Sequence, residues 1–201
     1  MLRLYDTRLS GNAWKVRILL TQLGIPFERV TLDLAKGDTA DPAFRAKSRF
    51  ARVPVLEFED GRTLVESAAI MLYLAEGTRF LPDDRFLRAE VMSWLTFEQA
   101  DLLRALALPR IWHLRGMADQ MASRISDFQE SAYPALAKAD AWLAAHDWLV
   151  DDRYGIADIG LFGYVSMATQ GGYDMARFPA INAWLARVKA QPGWVPLVEE
   201  T

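Results

Sequence analysis

A proline near the start of an apolar run constrains this chain more than any other residue. Val53-Pro54-Val55-Leu56-Glu57-Phe58 has the composition of a strand, short and rich in β-formers. Pro54 has no N–H to give to a ladder, so it must sit at a strand start or an edge. The backbone of Val53 is then left to pair with something else, and an extended ligand is one such partner. Asp60-Gly61 supplies the residues that a tight hairpin needs, Thr63 to Val65 makes the returning strand, and Ser67 is a suitable N-cap for a helix over Ala68 to Glu76. The dipole and first-turn N–H groups of that helix attract a carboxylate, while Glu66 offers a charge to an ammonium. An α-amino acid carries both groups. The run also reads as an ordinary hairpin followed by a capped helix, and spacing alone does not choose between the two.

Upstream, Leu2 to Asp6 predicts a strand, Asn12 to Leu23 a helix stopped by Gly24-Ile25-Pro26, and Phe27 to Leu34 a second strand. A polar stretch leads to a short helix near Pro42 to Lys47 and then to the hairpin. The pattern is βαβαββα, a small mixed sheet with helices packed on it. Beyond Leu81-Pro82-Asp83-Asp84, which reads as a linker, the signal is helical. Arg85 to Met117 carries long apolar periodicity with a break expected near Pro109, and Ser123 to Ala145 a second stretch expected to be interrupted near Pro134. Ile156 to Thr169 is strongly apolar, with Gly155 at its N-cap, Asp158 at the third helical position and Tyr154 stapled to Ile159. A last helix covers Ile181 to Ala190. The expected organisation is a first domain over 1–78, a linker over 79–86 and an all-helical domain over 87–201.

The chain has 201 residues, 52% of them hydrophobic, enough to bury a substantial core. Its 23 basic and 26 acidic residues give a net charge of −3. No basic stretch resembles a nucleic-acid footprint, so nucleic acid is not an expected partner. Neither a signal peptide nor an apolar run near the roughly 18 residues that span a bilayer is visible, and the expectation is a cytoplasmic protein without a membrane segment. There is no cysteine. Protein disulfides, thiolate metal sites and a cysteine nucleophile are therefore excluded, and any thiol chemistry must be imported.

Val-Pro before the third strand, Glu66-Ser67 at the next helix, the helical second half and the box around Asp158 together resemble the glutathione transferase family, over nearly the whole chain. Leu9-Ser10-Gly11-Asn12 followed by Lys15-Val16 is similar to the serine-type bacterial and theta-like branch. The resemblance implies an α/β plus all-α architecture, a thioredoxin-like glutathione-binding domain followed by an all-helical C-terminal domain. It also implies that Pro54 is a cis-proline, that the Val53 backbone pairs with the cysteinyl part of glutathione, and that Glu66 and Ser67 hold the γ-glutamyl end. Arg52 falls near the glycyl carboxylate, and Ser10 with Asn12 face the sulfur. Ser48-Arg49 stands where many members have Asn-Pro, and Gly155 where a Ser or Thr N-cap is usual.

The implied mechanism activates the thiol of glutathione, a co-substrate, with no metal. A thiol of pKa about 8.5 is only slightly ionised at neutral pH, and lowering it by about two units costs about 2.7 kcal/mol. A Ser10 hydroxyl donated to the thiolate supplies about 1.5 to 3 kcal/mol and the N-terminus of the first helix up to about 1. The thiolate would attack a small hydrophobic electrophile, a detoxification chemistry; the alternatives are a glutathione-dependent disulfide or peroxide reductase and a non-catalytic glutathione-binding module. Ser10 and Asn12 also read as helix caps. Tyr5 is a rival hydroxyl, though its place in the first strand favours packing. His113 and His146 read as surface or satisfied core residues, Trp112 as the best candidate for a wall of the electrophile pocket, and Glu98 with Asp101 as a solvated face or, by resemblance, a contact to the glutathione amine across a dimer. Phe50 lies where several relatives insert an aromatic key into a partner subunit, which implies a C2 homodimer; packing within its own chain is the other reading.

Overall fold

The structure, a computed structural model, describes residues 1–198. Residues 199–201, within the span expected for the helical domain, lie outside the described residues. The chain divides into two compact units, Met1–Thr78 with the segment from Pro192 onward, and Arg79–Gln191.

In the first unit β1 (Leu2–Asp6) and β2 (Phe27–Thr31) flank α1 (Gly11–Gln22). Two 3₁₀ turns and α2 (Pro42–Lys47) lead to β3 (Val55–Glu57), β4 (Thr63–Val65) and α3 (Ser67–Ala75). The sheet order is β2-β1-β3-β4, with β1 parallel to β2 and antiparallel to β3, and β3 antiparallel to β4. This is the thioredoxin-like βαβαββα arrangement. Alternation along the strands puts Tyr5, Val55 and Val65 in one row, where they meet Phe44 of α2, and Leu4 and Leu56 on the other face, fully buried. β3 starts only at Val55, because Pro54 cannot join the ladder. β2 stops at Thr31 rather than Leu34, since Asp33 turns aside to cap a 3₁₀ turn, its carboxylate accepting from the Ala35 N–H at 2.9 Å.

α1 is buried almost all round, from Gly11 through Leu20 apart from the half-buried Asn12. A helix without a polar face needs cover on more than one side. The segment after Gln191 supplies part of it. Trp14 Nε1 donates to the Val195 carbonyl at 2.8 Å, the Trp14 and Trp194 rings meet edge to face at 6.2 Å, and the Arg17 guanidinium donates to the carbonyls of Pro196 and Leu197 at 3.2 and 2.5 Å. Arg17 is itself buried and lies 3.7 Å from Asp6, the last residue of β1. Asp6 also accepts from Arg29 at 2.6 Å and Thr31 at 3.0 Å on β2.

The second unit is helical: α4 (Arg85–Phe97), α5 (Leu103–Leu114), α6 (Ala122–Leu143), α7 (Ile156–Val165) and α8 (Pro179–Lys189), with short 3₁₀ turns between α7 and α8. The interruption expected near Pro109 lies instead at a π turn over Glu98–Leu102, and Pro109 sits inside α5. Proline leaves the carbonyl four residues back without its helical donor. Here the Tyr173 hydroxyl donates to that Ala105 oxygen at 2.7 Å. Pro134 is likewise accommodated within an unbroken α6. No helix among the described residues is long and apolar enough to cross a membrane.

α7 has Gly155 at its N-cap, as the sequence predicts, and ends at Val165 before a 3₁₀ turn over Ala168–Gly171. Asp158 is fully buried and accepts from the N–H groups of Gly155 and Leu149 at 3.1 and 3.2 Å and from Trp184 Nε1 at 2.9 Å. Burial pushes its carboxyl up to about 7, against the pull of these donors. Gly155 has an extended backbone, so conformation does not demand glycine. Space does: a Cβ there would stand 2.7 Å from the Phe80 carbonyl oxygen, which accepts from the Ile156 N–H at 3.0 Å. Gly155→Ser, an improvement by the ordinary ranking of N-caps, is therefore expected to destabilise the protein by about 1 to 3 kcal/mol in urea denaturation. A neutral or stabilising outcome would show that the chain around Phe80 yields.

Candidate functional site

The site is assembled from the N-terminal ends of α1 and α3. A turn closed by the Ser10 N–H on the Thr7 carbonyl at 3.1 Å delivers the chain from β1 into α1. Ser10 is the N-cap: its Oγ accepts from the Ala13 N–H at 3.2 Å. Capping uses a lone pair of the hydroxyl and leaves its proton to be donated elsewhere. Asn12 is not a cap. It lies within the first turn, and its Oδ1 accepts from Lys15 Nζ at 2.9 Å and, at 3.5 Å, from the Ser67 hydroxyl at the start of α3. That contact brings together residues fifty-five positions apart in the chain. With them come two sets of first-turn N–H groups and two positive dipole ends, a setting that favours an anion.

The turn into α3 differs from the sequence expectation. Ser67 is the first residue of the helix rather than its N-cap, and the cap position belongs to Glu66, whose side chain does not cap. Glu66 has φ 70° and ψ 119°, a region costly for any residue with a Cβ. This backbone turns the chain from β4 into α3 and leaves the Glu66 carboxylate exposed, with the Ser67 side chain buried against Asn12. The Glu66 side chain makes no capping hydrogen bond at the start of α3.

The loop before β3 is held from within. The buried Ser48 hydroxyl accepts from the Arg52 N–H at 3.1 Å and donates to the Arg52 carbonyl at 2.9 Å. Ser48 thus closes the loop locally with its own side chain. The Val53-Pro54 bond is cis. Val53 packs its side chain on Phe44, Val55 and Val65, while its backbone N–H and C=O make no hydrogen bond among the described residues. The Arg52 guanidinium is exposed and forms no ion pair among the described residues.

Other candidates fall elsewhere. The Tyr5 hydroxyl donates to Glu57 Oε2 at 2.7 Å, and Glu57 is also bridged to Lys47. Burial, then the bond to Glu57, raises the Tyr5 pKa, so its proton is committed to a structural cluster. Glu98, expected on a solvated face, is buried in the π turn, its Oε2 accepting from Gln99 at 2.7 Å, whereas Asp101 is exposed. Trp112 is half-buried and packs on Phe128 with ring centroids 5.9 Å apart. His146 stacks on Trp142 at 4.1 Å and His113 is exposed beside Gly172. Among the described residues no three His, Asp or Glu side chains converge as a metal site would require. The sequence motif includes Lys15 without giving it a role; in the structure it is buried and bonded to Asn12. Its signal was a cation, one of two with Arg17, inside an otherwise apolar run, three residues after Asn12.

The fold and this geometry define a thioredoxin-like protein extended by a helical domain. Residues 4–79 match the family model for the glutathione S-transferase N-terminal domain, and residues 116–192 that for the glutathione S-transferase C-terminal domain. A glutathione S-transferase from Pseudomonas fluorescens, solved by crystallography, shares 37% identity and superposes with a TM-score of 0.96, covering 98% of this chain and 99% of that one. The disulfide-bond oxidoreductase YfcG of Escherichia coli is 28% identical over 91% of this chain and 88% of its own. In fold alone, the glutathione transferase URE2P6 from Phanerochaete chrysosporium, solved in complex with oxidized glutathione, is similar with a TM-score of 0.87 at 23% identity, covering 96% of this chain and 92% of that one. The chain belongs to the glutathione S-transferase family.

The backbone at Glu66 sets a test of its own. Glu66→Gly removes the Cβ from a positive-φ position and is expected to be more stable than Glu66→Ala by about 1 kcal/mol in urea denaturation, because alanine keeps the Cβ. Equal stabilities of the two variants would mean that the turn relaxes at no cost.

Proposed function

We propose that this chain is a cytoplasmic glutathione transferase of the serine type that lowers the pKa of bound glutathione's thiol. The observation that carries the proposal is the state of Ser10: its Oγ is fixed by the Ala13 N–H while its proton stays available, at the N-terminus of a buried helix. The backbone of Val53, without a hydrogen bond among the described residues and beside the cis Pro54, suits the cysteinyl part of the tripeptide. The start of α3, without a cap bond from Glu66, suits the γ-glutamyl carboxylate at Ser67, with Glu66 for its ammonium, and the exposed Arg52 suits the glycyl carboxylate.

In this reading the thiol gives its proton to solvent and the Ser10 O–H donates to the thiolate, with Asn12 as a second donor. The thiolate forms a carbon–sulfur bond with a small hydrophobic electrophile and the leaving group departs with its electron pair. Ultraviolet titration of bound glutathione is expected to give a thiol pKa near 6.5 in the wild type, with Ser10→Ala raising it by about one to two units, in line with the value of a hydrogen bond to a charged group. A wild-type value near that of free glutathione would contradict the proposal, and a loss of the shift in Tyr5→Phe but not in Ser10→Ala would move the role to Tyr5.

A second reading has a specific observation behind it, the similarity to a protein named a disulfide-bond oxidoreductase. The same thiolate can attack a disulfide sulfur, breaking the S–S bond and expelling one thiolate, and because this chain has no cysteine a second glutathione would resolve the mixed disulfide, releasing the other thiol and glutathione disulfide. Rates on an aryl halide, an organic peroxide and a mixed disulfide separate these activities.

We also propose a C2 homodimer. Phe50 is half exposed on the loop before Val53, with the Arg49 guanidinium 5.1 Å from its ring, an apolar surface unexplained within the chain. Sedimentation is expected to show a dimer that Phe50→Ser weakens at least tenfold; a strict monomer at micromolar concentration would contradict this.

A further inference from the structure

The start of α1 holds a cation where the helix dipole disfavours one. Lys15 is 1% exposed, and its Nζ donates to Asn12 Oδ1 at 2.9 Å. An ammonium can only donate, so this contact decides which end of the Asn12 amide is the oxygen. The Ser67 hydroxyl, donating to the same oxygen at 3.5 Å, agrees with that assignment. With Oδ1 occupied from two sides, Nδ2 is the end left over, and its protons have no acceptor among the described residues. Asn12 is half-buried and follows the Ser10 cap by two residues, so this unused donor belongs to the same helix start as the Ser10 hydroxyl.

We infer that Lys15 is a positioning residue, which holds Asn12 Oδ1 so that the Asn12 Nδ2–H donates to the sulfur of bound glutathione. The inference rests on the thiol-activation reading above. Its chemistry is a matter of sign. An amide turned the other way would present its carbonyl to the thiolate, and two electron-rich atoms in contact would raise the thiol pKa instead of lowering it. Lys15 fixes the favourable orientation without touching the substrate. The departure from ordinary helix design at Lys15 then has a use, as such departures at functional sites commonly do.

The test is the thiol pKa of bound glutathione, by ultraviolet titration, in the wild type, Lys15→Met, Asn12→Ala and the double variant. Lys15→Met is expected to raise the value by about one unit, and the double variant to titrate like Asn12→Ala, because Lys15 acts only through Asn12. A lowered wild-type thiol that Lys15→Met leaves unchanged overturns the inference alone. Additive shifts in the double variant overturn it as well, since they would mean that the charge acts independently of Asn12. A wild-type thiol that is not lowered overturns the thiol-activation reading and the inference together. Nitrogen-15 NMR of the Asn12 side-chain amide in the wild type needs no substituted lysine to fold: its resonances are expected to shift when glutathione binds and to titrate with the thiol. An amide indifferent to glutathione contradicts the inference.

Discussion

Asn12 Oδ1, taking hydrogen bonds from Lys15 and Ser67, is the contact on which the geometry of the first unit's site depends. It joins the first turn of α1 to the first residue of α3, and so fixes two helix N-termini side by side. A dipole effect of a few tenths to about 1 kcal/mol at one helix end is modest. Two such ends sharing one neighbourhood, one capped by Ser10 and the other without a cap bond from Glu66, make a place where negative charge is favoured in more than one position. The cost is visible nearby. Glu66 takes a backbone conformation suited to glycine so that the chain can leave β4 and enter α3 at the required angle. Strain of this kind, of order 1 to 3 kcal/mol, persists where the surrounding structure overdetermines it.

The rest of the unit holds α1 in place. One flank lies on the sheet; along another, the segment beyond Gln191 returns to Trp14 and Arg17. Arg17 links that segment to Asp6, which in turn gathers Arg29 and Thr31 from β2. A buried guanidinium with a carboxylate nearby and carbonyl acceptors carries little net stabilisation relative to apolar packing, but removing one partner is costly. The helix that carries Ser10 and Asn12 is therefore tied to the sheet and to the C-terminal segment by groups that tolerate little displacement. A site precise to a fraction of an ångström needs such support.

Much of this was legible in the sequence. The limits of β1, β4 and α2, the hairpin at Asp60-Gly61 and the N-cap of α7 at Gly155 follow from alternation, turn chemistry and caps, all local properties. What was not legible is what tertiary partners decide. Ser67 looks like a cap because nothing local announces a glutamate at positive φ before it. Pro109 looks like a break because the donor that relieves it, Tyr173, is far along the chain. The π turn at Glu98–Leu102 contains neither glycine nor proline, and the burial of Glu98 there has no local signature. Gly155 reads as a weakened cap until the Phe80 carbonyl is seen to occupy the space a side chain would need. Lys15 is the instructive case. Charge in a sequence is normally read as surface, and only the three-dimensional arrangement shows this one holding a neighbour's amide from beneath.

If the site deprotonates glutathione on binding at neutral pH, the protons released can be counted. Titration calorimetry at pH 7 in buffers of different ionisation enthalpy gives the number released for each glutathione bound, with S-methylglutathione, which has no thiol proton, as the reference. A free thiol of pKa about 8.5 brought to about 6.5 is expected to release about 0.7 proton in excess of the reference. Equal proton release by the two ligands would mean that bound glutathione keeps its thiol proton.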